Sequence, residues 1–346
     1  MQNLPPYPSE YAYTYPPELL ATEPVSPRES ARLLVYSKSI QQTQFSTFAH
    51  IADFLPAGAV LVFNETKVLP ARFMAQKSTG GLVELLYVGK TAAGARVLAN
   101  RPLRVGEVVT LVSTAETFQI AERLDKGYLV VPSFPLTELE QFLYSHGTTP
   151  IPPYIKQTRL SEAELRTEYQ SVLAKHVGSV AAPTASLHFS EPLINQLEQR
   201  GFGVEKVTLH VGLGTFAPVG AAQLETGSLH AEHYEIAPDV AERLMAYKQA
   251  GRPIIAVGTT VVRTLESAAK GGQLQELQGD TTLFIYPPFQ FQFVSGMVTN
   301  FHVPESSLLM LVAAFTSKQE LFTLYTEAIR QKMRLFSFGD GMLLIP

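Results

Sequence analysis

Apolar positions change their spacing along this chain, and each change predicts a different kind of structure. After a Pro/Tyr-rich arm, RLLVY (32–36) reads as a strand. From about 58 to 135 the apolar runs are short and punctuated by Gly and Pro: AVLVF (59–63), GLVELLYV (81–88), ARVLA (95–99), GEVVTLV (106–112) and GYLVV (127–131). Such close spacing with frequent turn signals predicts a small antiparallel barrel or sandwich. FLYSHGTTPIPPYI (142–155) is a Pro-rich link out of it.

Beyond 155 helical and extended patterns alternate. Ser161 with Glu164 forms a capping box before an amphipathic run to His176. SVAAP (179–183) reads as a buried strand. Ser190 is an N-cap, Pro192 falls in the first turn that follows, and Gly201 ends that helix. VTLHV (207–211) alternates, with Thr208 and His210 on one face. A helix is expected over Pro238 to Ala250, a strand at PIIAV (253–257) and a helix from Thr259 to Lys270. TTLFIY (281–286), FQFQF (289–293) and MVTNFH (297–302) read as strands, and SLLMLVAAF (307–315) as a buried helix. Strands alternating with helices give an α/β fold class with a largely parallel or mixed sheet.

Composition narrows the chemistry. The chain of 346 residues has no cysteine, which excludes disulfides, thiolate nucleophiles and cysteine-held metals. No run of about 18 apolar residues occurs and the N-terminus lacks a secretory pattern, so a soluble cytoplasmic protein is expected. The formal net charge is −4, so any nucleic-acid contact rests on a local basic patch.

Titratable residues collect at strand ends. His188 and His210 each sit beside a small-residue turn in an apolar setting, where an imidazole near neutrality could take and give protons. IIAVGTT (254–260) is a strand, a glycine and a helix N-terminus, and the free amides at Thr259 and Thr260 could hold a carboxylate. Arg263 lies one turn in, on the polar face; it either pairs with a ligand carboxylate or caps internally with Glu266. GLGTF (212–216), with Thr215 and Phe216, allows close backbone approach but fits neither a dinucleotide fingerprint nor a P-loop. His230 and Glu232 share one face of an extended segment and His233 the other, which argues against a metal. Asn300 and His302 share the end of the MVTNFH strand. Asp340, between two glycines, is either a turn former or a proton donor.

Together these motifs resemble the S-adenosylmethionine:tRNA ribosyltransferase-isomerase family of queuosine biosynthesis. GSVAAPTASLHF (178–189), VTLHVGLGTF (207–216), LHAEHYE (229–235), IIAVGTTVVRTLES (254–267), TNFHVPESSLLMLVAAF (299–315) and FSFGDGMLL (336–344) carry the resemblance. PRESARLLV (27–35), LVFNETKVLPARF (61–73), GGLVELL (80–86) and PIPPYIK (150–156) extend it over nearly the whole chain. The resemblance implies a barrel domain over 58–150 inserted in an α/β domain of 1–57 and 151–346. It implies that S-adenosylmethionine, as co-substrate, gives up its ribosyl part to 7-aminomethyl-7-deazaguanine at the tRNA wobble position. Epoxyqueuosine-tRNA, adenine and methionine would result, with no metal, no membrane and a monomeric enzyme.

On that chemistry, the sulfonium acidifies ribose C5′ and a base must take its proton, with His188 or His210 as the candidates. The other histidine, His302 or Asp340 would protonate the departing adenine. Arg263 with Thr259 and Thr260 would anchor the methionyl carboxylate, and Phe216 or Tyr154 would stack on a base. Thr184, Thr215, His230, Glu232 and Asn300 complete the expected substrate contacts. Several family positions have lost or reversed positive charge: Glu168 and Glu305 stand where Arg is usual, Ala217 where a basic residue is usual, Gln292 where Arg is common, and Gly227 where His is usual. Charge supplies most RNA affinity, so a paralogue with another acceptor, or a non-catalytic RNA- or nucleotide-binding protein on this fold, are the alternatives. Lys67, Arg72, Arg101, Arg104, Lys156 and Arg159 are candidate RNA contacts.

Overall fold

The computed structural model describes residues 5–112, 114–212 and 219–346. A nine-stranded mixed sheet forms its centre. Across the sheet the strands run Gln278–Leu283, Ser228–Glu235, Gly203–Leu209, Val60–Asn64, Ile254–Val257, Gly296–Asn300, Gly341–Ile345, Arg32–Ser37 and Gln42–Thr47. The four from Gly203–Leu209 to Gly296–Asn300 are mutually parallel, so their carboxyl ends meet at one edge of the sheet.

Both faces of this sheet are covered. On one face Val60, Val62, Ile254 and Ala256 pack with helices Pro238–Gln249, Thr259–Ala268, Ser307–Phe315 and Lys318–Arg330. On the other, Leu61, Phe63, Ile255 and Val257 pack with helix Glu191–Gln199 and the 3-10 segment Phe48–Asp53. Burial on both faces explains the continuous apolar runs of the inner strands. Helix starts follow the expected chemistry: Ser161, Ser190, Ser306 and Ser317 each accept a backbone N–H with their side chain.

A closed six-stranded antiparallel barrel stands beside the sheet, its strands lying within Arg72–Lys77 to Tyr128–Pro132. It has its own core, including Phe73, Val83, Leu85, Val109, Phe118 and Ile120. The barrel interrupts the chain between Val60–Asn64 and its parallel neighbour Gly203–Leu209.

Several local expectations change. The run at 59–63, grouped with the barrel by its spacing, is a central strand of the large sheet; all five residues of Val60–Asn64 are buried, which a one-faced barrel strand would not be. FQFQF (289–293) is no strand, because the backbone N–H groups of Gln292, Phe293 and Val294 donate to the Glu266 carboxylate instead of to a ladder. SVAAP keeps only Ser179 in a strand, His176–Ser179, and a 3-10 turn, Thr184–His188, follows Pro183. The run expected to reach His176 as helix stops at Glu168.

Among the described residues no helix is long and apolar enough to cross a membrane.

Candidate functional site

The carboxyl edge of the parallel strands carries a cleft, where open α/β sheets place ligands. Its floor is Val211, Gly258 and Asn300, each at the end of a parallel strand. Thr259 and Thr260 begin the helix above it, and Ala182, Pro183 and Thr184 close one side. Tyr154, Phe301, Phe336 and Leu308 supply apolar walls. The cavity between these walls has a volume of about 50 Å³.

Asn64 ties three of the elements together. Its Oδ1 accepts from the N–H groups of Thr66 and Leu209, each at 3.1 Å. Its Nδ2 donates to the Leu209 carbonyl at 2.9 Å and to Thr260 Oγ1 at 3.3 Å. Every polar position of this buried amide is therefore used, which fixes the helix start relative to two strands. The sequence reading passed over Asn64; its signal is a lone amide closing the apolar strand VLVFN.

Gly258, just before the helix, has φ of +100°. That backbone, rarely adopted by residues with a Cβ, lets the chain turn from strand into helix and presents the first amides of Thr259–Ala268 to the cleft.

His302 lines the cleft. Its Nε2 lies 2.8 Å from Thr299 Oγ1, while its backbone N–H donates to the Tyr325 hydroxyl at 2.8 Å and its carbonyl accepts from Tyr13 at 2.6 Å. Burial pushes this imidazole down to about 3, so it is neutral through the physiological range. The Tyr154 hydroxyl lies 2.5 Å from Ser337 Oγ, and its ring centroid is 5.2 Å from that of Phe336. Burial raises the Tyr154 phenol to about 12, so it stays protonated.

His188 lies behind Asn300 and does not line the cleft. Burial first, then the charges of Arg334 and Arg28, push it down to about 3. His210 lies off the cleft too. Its Nδ1 is 2.9 Å from Thr66 Oγ1, which is 2.7 Å from Ser179 Oγ, which in turn accepts from the Val211 N–H at 2.8 Å. The ring rests on Gly178, where an added Cβ would come within 2.6 Å of it. Burial, with His233 and His176 nearby, lowers the pKa of His210. Asp340 is the turn former: Oδ1 accepts from the Arg32 N–H and Oδ2 from the Arg334 N–H, at 2.9 and 2.8 Å. Its burial raises its pKa against the pull of those donors.

A recess next to the cleft shares Leu308 with it and holds His230, Glu232, Arg263 and Ser307. Arg263 and Glu232 form a buried ion pair, with Arg263 also donating to the carbonyls of Leu283 and Thr281. Glu232 further accepts from the Gly212 N–H at 2.8 Å. The guanidinium is thus matched inside the protein, by Glu232 and not by Glu266. Strand pleating puts His230 and Glu232 on one face as expected, while His233 faces out to Asp280 at 3.0 Å. Among the described residues no group of three or more His, Asp or Glu is arranged to hold a metal.

On the barrel side a third opening, of about 290 Å³, is lined by Arg72, Leu86, Asn100, Lys126, Pro152 and Gly212 among others. Lys126 reaches across from the barrel to His230 Nε2 at 2.7 Å, joining this opening to the recess. Burial, then Lys126, lowers the His230 pKa. Glu168 pairs with Arg28 at 3.4 Å. Thr215 and Phe216 lie outside the described residues, as does Ala217.

Known proteins resemble this chain over its length. The profile of a family described as queuosine biosynthesis protein matches residues 8–344. An S-adenosylmethionine:tRNA ribosyltransferase-isomerase from Thermotoga maritima is 42% identical over 339 residues, covering 97% of this chain and 99% of its own. The protein of that name from Legionella pneumophila is 41% identical over the same shares of each. The crystal structure of the S-adenosylmethionine tRNA ribosyltransferase from Thermotoga maritima aligns with a TM-score of 0.56 and 32% identity, over 97% of this chain and 100% of that one.

Proposed function

Because the chain belongs to the queuosine biosynthesis family of S-adenosylmethionine:tRNA ribosyltransferase-isomerases, we propose that it catalyses the reaction for which those relatives are named. The ribosyl part of S-adenosylmethionine passes to the aminomethyl group of 7-aminomethyl-7-deazaguanine at the tRNA wobble position, and is isomerised to give epoxyqueuosine-tRNA, adenine and methionine. The observation that carries the reading is the cleft at the carboxyl edge, with a helix N-terminus, aromatic walls and a neutral imidazole facing one space.

Each group has a use in that chemistry. The amides at Thr259 and Thr260 suit the methionyl carboxylate, for which a helix start supplies both donors and dipole. Tyr154 and Phe336 suit the flat adenine ring. His302, neutral and in the cleft, takes the C5′ proton that the adjacent sulfonium acidifies; a base this weak depends on that acidification. The barrel-side opening, with Arg72 and Lys126, suits the acceptor nucleotide, which would approach the recess past His230. A cytoplasmic, monomeric enzyme acting without a metal belongs to the same proposal.

The test is adenine release from S-adenosylmethionine with and without an anticodon stem-loop carrying 7-aminomethyl-7-deazaguanine. Release that requires the modified RNA, with a matching mass gain on it, supports the proposal. S-adenosylmethionine binding without release would turn the reading to a different acceptor.

A further inference from the structure

One buried amide in the cleft has an atom with no partner. The Asn300 residue is 2% exposed and lines the cleft. The orientation of its carboxamide follows from its neighbours. The Phe336 carbonyl lies 3.2 Å from Nδ2 and, as a carbonyl, only accepts, so the amide nitrogen must face it. The second proton of Nδ2 points to His188 Nε2 at 3.1 Å. His188 stays neutral through the physiological range, so that nitrogen serves as an acceptor. Both donors are then spent on groups of the protein, and Asn300 Oδ1 is left buried with no hydrogen bond.

A buried acceptor without a partner is costly, and the cost is recovered only when a donor arrives. His188 does not line the cleft and holds the amide nitrogen on its own side, which leaves Oδ1 as the one polar atom of Asn300 without a use inside the protein. What surrounds that oxygen selects the donor. The cleft that Asn300 lines has flat or apolar walls at Phe336, Tyr154 and Pro183, beside the polar Thr299, His302 and Ser337. An ammonium, with three N–H donors and a charge, would be poorly matched there, whereas a flat ring fits between the aromatic walls and its exocyclic amine brings an N–H to this acceptor.

We infer that Asn300 is a specificity residue: its Oδ1 accepts a hydrogen bond from the exocyclic amine of the purine, and His188 is the positioning residue that keeps Nδ2 turned away. This inference rests on the proposed use of S-adenosylmethionine. A site that spends a buried acceptor on one amine rejects the analogue lacking it more strongly than apolar fit alone would.

The experiment compares two ligands by calorimetry, 5′-deoxy-5′-methylthioadenosine and its 6-H purine analogue, on the intact chain. The wild-type protein is expected to bind the analogue about tenfold or more weakly. Asn300→Ala is expected to bind both alike, and His188→Phe, which keeps a ring against Phe48 but offers Nδ2 no acceptor, to reduce the ratio. Equal binding of the two ligands by the wild-type protein overturns the inference without any variant, so a variant that does not fold leaves the test intact. A ratio unchanged in Asn300→Ala overturns it too. Adenine release from S-adenosylmethionine is assayed in parallel with the modified stem-loop. Release with no discrimination between the ligands sinks the role of Asn300 alone; absence of both binding and release sinks the underlying proposal.

Discussion

The imidazole of His188 lies stacked on the ring of Phe48, with centroids 4.2 Å apart and 17° between the planes. The contact holds a titratable group in an apolar layer, and its proton affinity falls to about 3 from an ordinary 6.5. In the pH range between those values the unfolded chain binds the proton and the folded one does not. Stability from this group is therefore full above about 6.5 and is lost as pH falls toward 3, at about 1.4 kcal/mol per pH unit. Denaturant midpoints measured from pH 8 to pH 5 should fall for the wild-type protein and fall less for His188→Phe. Equal slopes would show that His188 is not buried neutral.

His302 and His210 should separate in a kinetic assay. His302→Gln is expected to lower kcat by about 10²-fold or more, the usual scale for a positioned proton acceptor. His210→Gln, at a ring outside the cleft, should change kcat less than tenfold, roughly the scale of a small geometric disturbance. The acid limb of kcat/KM assigned to His302 should lie near 3, not near 6.5. An acid limb that persists in His302→Gln and disappears in His210→Gln would move the proton chemistry to His210.

The Arg263–Glu232 pair is expected to be structural in its first effect. Removing either partner alone leaves a buried charge uncompensated, at a cost of about 3–5 kcal/mol. Glu232→Gln and Arg263→Met should each lower stability by that order, while the double variant should be more stable than the sum of the two. Thermal melts read this coupling directly. Additive losses, with only KM raised in Arg263→Met, would mean the guanidinium serves a ligand and not Glu232.

Asn64 gives a sharper loss. Asn64→Leu retains size but strands two backbone N–H groups and a carbonyl that the amide now satisfies. Unsatisfied buried groups cost about 1–3 kcal/mol each, so the variant should unfold at clearly lower denaturant and lose S-adenosylmethionine binding through the displaced Thr260. A midpoint shift of zero would show that water replaces the amide.

Much of this was legible in the chain. The helix Ser307–Phe315 follows from an apolar run behind a serine cap, and the Arg263 helix from its stripe of Val261, Val262 and Leu265. The cleft edge was legible because Thr259 begins a helix and Asn300 ends a strand, with His302 two residues beyond it. What failed did so for long-range reasons. FQFQF alternates like a strand, yet a glutamate some two dozen residues earlier takes its donors. His188 and His302 read alike as ring-bearing strand ends, and only packing reveals that one stacks under Phe48 while the other faces the cleft. Arg263 read as an anchor because its partner, Glu232, comes from a separate strand.

The barrel's position within the chain bears on how this protein reaches its fold. Barrel strands pair with neighbours close in sequence, while Val60–Asn64 pairs only with Gly203–Leu209 and Ile254–Val257, both far downstream. Contacts of low sequence separation close quickly and distant ones slowly. During synthesis the barrel is therefore complete while the centre of the sheet still waits for its flanking strands. The carboxyl edge, and with it the cleft lined by Thr259, Asn300 and His302, is assembled after the barrel.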